Sequence, residues 1–80
     1  MEPFIGQILL FPYNFTPRGW MKCEGQVLPI SQNEALYSLI GTTYGGDGRT
    51  NFAVPDLRRK MRTRGLAYYI AIAGLYPPRQ

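Results

Sequence analysis

The chain has no histidine and one cysteine, Cys23, and these two scarcities remove much of enzyme chemistry at once. Without histidine, the commonest general base and the commonest transition-metal ligand are both missing. A lone thiol cannot build a zinc site, and as a nucleophile Cys23 has only Lys22 or Glu24 beside it in sequence, so it reads as a buried or half-buried structural thiol. Acid is scarce as well: Glu2, Glu24, Glu34, Asp47 and Asp56 are the only carboxylates. Glu34 reads as a helix cap, Glu24 as a turn residue, and Asp56 as a cap or a partner of Arg58, which leaves no pair for acid/base work. Asp47 stands alone between Glu34 and Asp56, far short of the oxygen set that calcium requires. The expectation is a non-enzymatic protein with no catalytic residues, no metal and no cofactor.

Long hydrophobic runs are also absent. No stretch of 18 apolar residues occurs, and the start MEPFIGQ lacks the basic region and apolar core of a secretory signal. The reading is a chain made in the cytoplasm without a recognisable signal peptide and with no membrane insertion. At 80 residues it forms one domain, residues 1–80, and buries only about 60 to 65 percent of its unfolded surface. Domains this small gain stability from disulfides, a structural metal or partner chains. The first two are excluded by composition, so association is left.

What is present begins with FIGQILLF, residues 4–11, a short apolar run that reads as a strand with a buried face and Gly6 as a possible bulge. PYNFTPRG turns the chain. WMKCEGQVL reads as a tight hairpin about Glu24-Gly25, with Gly25 at positive φ and Trp20 and Leu28 on the two arms. SQNEALYSLIG carries Ser31 and Glu34 at capping-box spacing, Ile30 placed to staple against Ala35, and Gly41 where a left-handed cap belongs. Its apolar stripe is Ala35, Leu36, Leu39 and Ile40, and the predicted helix covers about 31–40. Too short to hold alone, that helix must dock on the strands.

GTTYGGDGRTNF follows, then FAVPDL, a brief extended run, and LAYYIAIAGLY, which reads as a central strand over about 67–75. In that strand Tyr68, Ile70 and Ile72 share one face, and Tyr69, Ala71 and Ala73 the other. The fold class is therefore α+β: a small single domain of short strands, one short capped helix and long glycine-rich loops. The glycine loop is no phosphate cradle, because it follows a helix and lacks the lysine of a Walker A loop. Its glycines read as positions of positive φ.

The charge of +4 is local. Five of the nine basic residues fall in RRKMRTR, namely Arg58, Arg59, Lys60, Arg62 and Arg64, in a connecting loop of about 58–65. Such a patch can grip a nucleic-acid backbone, or form a solvated loop or a subunit rim. Tyr13, Phe15, Trp20 and Tyr44 lie in turn-rich segments, where flat rings could seat a sugar or fill an interface.

The ordered pattern of Gly6, Pro17, Gly19-Trp20, Cys23-Glu24-Gly25-Gln26, Leu28-Pro29-Ile30, Ser31-Gln32-Asn33, Leu36, Leu39-Ile40-Gly41, Tyr44-Gly45-Gly46-Asp47-Gly48, Phe52 and Pro55-Asp56-Leu57-Arg58 resembles the phage tail collar domain family. The ending YYIAIAGLYPPRQ is similar to the closing strand of its microcystin-dependent protein-like branch. Members of that kind carry a glycine after DLR and then a long variable segment. Here Arg59 takes the glycine's place and about eight residues precede the closing strand, so the resemblance is to a shortened member. It implies a tail-collar-like fold in a virion component or an extracellular particle or fibre, trimeric in phage relatives, whose variable segment belongs to the receptor-facing part.

Resemblance and composition agree on a structural module that self-assembles, as a trimer or a filament, within a phage tail, a phage-derived particle or a surface fibre. FIGQILLF or YYIAIAGLY could complete a neighbour's sheet by strand addition. The structural and assembly candidates are Trp20, Gly25, Ser31, Glu34, Gly45, Gly46, Asp47, Arg49, Asp56 and Arg58. Partners would be copies of itself, other tail or fibre proteins, or a glycan or cell-surface receptor. The alternative function is a carbohydrate- or receptor-binding module using exposed aromatics, and nucleic-acid binding through the basic stretch comes after it.

Overall fold

Short apolar runs separated by turns give five strands and one helix in the computed structural model, which describes residues 2–60 and 65–78. The strands are β1 (Ile8–Phe11), β2 (Trp20–Lys22), β3 (Val27–Pro29), β4 (Asn51–Ala53) and β5 (Ala67–Ala71), and the helix α1 is Glu34–Ile40. They form two antiparallel sheets, one in the order β1-β5-β2 and the other a β3-β4 pair. The α+β class read from the sequence is the class found.

The last apolar run holds the larger sheet together, as expected of a central strand. Ile8 faces Ile70, Leu9 faces Tyr69 and Phe11 faces Ala67 across β1 and β5, while Trp20 faces Ala71 across β2 and β5. Because side chains alternate along a strand, Ile8, Met21, Tyr68 and Ile70 share one face. That face meets Cys23, Leu28, Leu36, Phe52 and Val54 to make the core. Gly6 and Gln7 both bond Ala71, through the Gly6 N–H to its carbonyl (2.8 Å) and from its N–H to the Gln7 carbonyl (2.9 Å). Two residues against one is the arrangement of a bulge, and Gly6 at φ +88° supplies its backbone.

Two sequence expectations give way. Gly25 does take a positive φ, +77°, but the segments around it do not form a hairpin: β2 pairs with β5 and β3 with β4. The chain at Cys23–Gln26 crosses from one sheet to the other, because each flanking run pairs with a strand from later in the chain. The capping box is also absent. Residues Ile30–Gln32 form a separate 3-10 turn, the helix starts at Glu34, and Asn33 precedes it without a side-chain capping bond. The Asn33 side-chain amide instead donates back to the Pro29 carbonyl (3.0 Å). With the helix starting later than expected, its packed face is Leu36, Tyr37 and Ile40, while Ala35 and Leu39 are exposed. Ile30 packs on the core. Gly41 ends the helix at φ +57°, its N–H bonded to the Tyr37 carbonyl (2.8 Å). The closing strand ends at Ala71, short of residue 75. Leu75 makes only an isolated bridge to Phe4.

Candidate interaction surface

The face of the larger sheet turned away from the core is aromatic. Its cross-strand pairs set a large ring against alanine, Phe11 against Ala67 and Trp20 against Ala71, so that rings can fold over Tyr69 between them. Tyr69 is fully buried as a result. Its hydroxyl reaches the carbonyls of Tyr13 (3.2 Å) and Phe15 (3.3 Å), which ties the following loop to the sheet. Phe11, Tyr13 and Phe15 then stack in a row, with centroids 5.3 Å and 5.1 Å apart and planes within 18° and 16°. Trp20 meets Phe11 edge-on, 5.0 Å away at 83°. The stack runs out into solvent: Tyr13 is 43% and Phe15 60% exposed. Tyr13, Phe15 and Trp20 are grouped in the sequence by their turn-rich segments, without Phe11 or Tyr69. The pairing of large with small residues across three strands, which gathers the rings, exists only in the folded sheet.

The glycine loop is closed by one carboxylate. Asp47 Oδ1 accepts the backbone N–H groups of Arg49 (2.8 Å), Thr50 (2.9 Å) and Asn51 (3.1 Å), while Oδ2 accepts the Thr50 hydroxyl (3.1 Å). These bonds favour the ionised form and hold the carboxyl at about 2, below its ordinary 3.8. Gly46, at φ +97°, passes so close to Asn51 and Phe52 that a Cβ there would collide with their backbone. Gly45 receives the Ala53 N–H on its carbonyl (3.1 Å). Arg49 contributes its backbone N–H to the loop and borders an open groove with Ser31, Glu34, Ile30 and Thr50. Ser31 and Glu34 are exposed.

At the sheet crossing, Gly25 donates to the Pro55 carbonyl (3.2 Å) and lies against Asp56. Asp56 holds Arg58 in a two-pronged ion pair, 3.0 and 2.7 Å, and that pairing keeps its carboxyl near 2. Arg58 is therefore engaged. Arg59 and Lys60 are exposed in a short 3-10 turn, Arg58–Lys60. Arg62 and Arg64 lie outside the described residues. Cys23, the first residue of the crossing, is buried, and burial pushes its thiol up to about 11. No helix among the described residues is long and apolar enough to cross a membrane.

The sequence model of the phage tail collar domain matches residues 6–61, from the bulge before β1 through the Asp56–Arg58 pair. The chain belongs to the phage tail collar domain family. The collar domain is a structural module of phage tails and is not known as an enzyme, so membership implies a virion component. The match takes in the aromatic stack, the Asp47 loop and the ion pair, and ends before β5. No curated protein is similar enough to the chain to count as a match.

Proposed function

We propose that this collar domain is a self-assembling structural element of a phage tail, a phage-derived particle or a surface fibre, built as a trimer or a filament. The observation that carries the reading is the aromatic stack. A domain of 80 residues that leaves Tyr13 and Phe15 stacked in solvent gains by burying them, and an exposed apolar patch of this kind marks an interaction site. Copies of itself, and beyond them other tail or fibre proteins, are the partners that a structural module in a repeating particle meets most often.

The domain is a shortened member, similar to the microcystin-dependent branch in its closing segment. Only Arg59 to Leu66 separate the Asp56–Arg58 pair from β5. There is room for a connection but not for a folded receptor-reading insert, which supports scaffold over host recognition.

The test is native mass combined with substitution of Phe15 by serine, which removes the most exposed ring of the stack without touching the core. Loss of the assembled species with an unchanged circular dichroism spectrum supports the reading. Full assembly by the Phe15→Ser protein overturns the role of the stack. The exposed ring of Phe15 also favours a second reading, a glycan platform, since sugars stack on open aromatic faces. Glycan-array binding by dispersed monomer that vanishes in Phe15→Ser would favour it.

A further inference from the structure

The larger sheet has two outer edges, and one of them is partly closed. On β2 the residues not bonded to β5 are Trp20 and Lys22. The Trp20 N–H donates to the Pro17 carbonyl (3.1 Å), and the Lys22 carbonyl accepts the Glu24 N–H (3.0 Å). A lysine on that edge further discourages a passing strand.

The β1 edge has neither protection. The Gln7 carbonyl accepts the Ala71 N–H (2.9 Å), so the alternation of an antiparallel ladder turns Leu9 and Phe11 toward β5. It leaves the N–H and C=O groups of Ile8 and Leu10 facing outward. Among the described residues no loop or side chain bonds them. The strand reads ILLF, without charge or proline, and Leu9 and Leu10 are 39% and 43% exposed.

We propose that the β1 edge is covered by β1 of a second copy, running antiparallel across a two-fold axis centred on Leu9. This rests on the self-association proposed above and gives it a surface; being two-fold, it fits paired copies and a filament built from pairs, not the trimer. The register follows from what each alternative would waste. Centring on Leu10 brings Ile8 against Pro12, which has no N–H to give. Centring on Ile8 brings Leu10 against Gly6, whose N–H is already spent on Ala71. Centring on Leu9 pairs Ile8 with Leu10 of the second copy in both directions and uses every outward group.

Side chains agree with that register. Leu9 meets its own symmetry mate, and no like charges oppose one another along the edge. On the same face, Phe11 of the second copy comes opposite Gln7, at the rim of a groove of about 330 Å³ bordered by Gln7, Leu9, Phe11 and Trp20. With the Trp20 N–H and the Lys22 carbonyl already bonded and a lysine on that edge, head-to-tail addition of β1 to β2 is disfavoured. The contact is isologous and self-limiting, so any assembly that uses it on every copy has an even copy number.

The experiment follows amide hydrogen exchange of the full chain by NMR, at dilute and concentrated protein, alongside light-scattering mass. It is repeated on Leu10→Pro, which removes one outward N–H, and on Leu9→Lys, which sets like charges across the axis. If Leu10→Pro does not fold, Leu9→Lys carries the test, because its change lies on an exposed face. The expected result is about tenfold or greater slowing of Ile8 and Leu10 exchange on concentration, with folded variants that remain monomeric. Assemblies that persist in Leu9→Lys while Ile8 and Leu10 exchange freely would overturn the edge contact and leave self-association standing. A trimer as the sole species would do the same. A monomer at every concentration would overturn both.

Discussion

Asp47 and Asn51 bond each other in both directions: the Asp47 N–H donates to Asn51 Oδ1 (2.9 Å), and the Asn51 N–H donates to Asp47 Oδ1 (3.1 Å). The pair fastens the glycine loop to the first residue of β4, and so the loop's shape depends on a carboxylate that is ionised. Folding lowers Asp47 from 3.8 to about 2, and Asp56 likewise. A depressed acid stabilises fully above its unfolded value, and that contribution is lost as pH falls through the folded one. Thermal melts should therefore show Tm falling between about pH 4 and pH 2. Asp47→Asn should have a lower Tm at pH 7 and a shallower fall in acid.

Gly46 and Gly41 both have positive φ but differ in surroundings. A Cβ on Gly46 meets the backbone of Asn51 and Phe52, whereas one on Gly41 meets nothing within 4 Å. Gly41→Ala should cost about 1–3 kcal/mol from backbone strain alone, measured by urea unfolding. Gly46→Ala should cost more than that and give little soluble folded protein.

Tyr69 has no exposed surface and its hydroxyl bonds only loop carbonyls. Tyr69→Phe keeps the ring and loses the tether, so the cost should be about 0.5–1.5 kcal/mol. Chemical shifts should change most at Tyr13–Phe15, at the exposed end of the stack. Equal shifts spread across the core would contradict the tether.

Cys23 is 2% exposed and its thiol is raised to about 11, so the thiolate that reacts is scarce at neutral pH. A disulfide reagent should label it slowly in native protein and at once in denaturant. The native rate should rise in Gly41→Ala in step with the lost stability.

What could be read in the sequence was what depends on local chemistry or strict alternation. The central β5 is legible in YYIAIA because both faces are apolar, Tyr68, Ile70 and Ile72 on one and Tyr69, Ala71 and Ala73 on the other, and Gly41 and Gly25 are legible because few other residues tolerate positive φ. The missed features depend on residues distant in sequence. WMK and VLP sit near a Glu-Gly pair, but each is claimed by a strand that comes much later in the chain. Ser31 and Glu34 had the spacing of a cap, yet Pro29 starts a 3-10 turn that leaves Ser31 outside the helix. Asp47 was visible as a loop polar group. Its capture of three successive N–H groups was not, because that needs the loop already folded. The aromatic stack joins Phe11, Tyr13 and Phe15 only once β1 is placed beside β5.

Self-assembly is the central claim, and native mass by light scattering after size exclusion tests it most directly, on nuclease-treated protein at low and high salt. Apolar burial predicts assembled protein at both salts, unchanged by reversing the charges of Arg59 and Lys60. A folded monomer at every concentration and both salts would contradict the account.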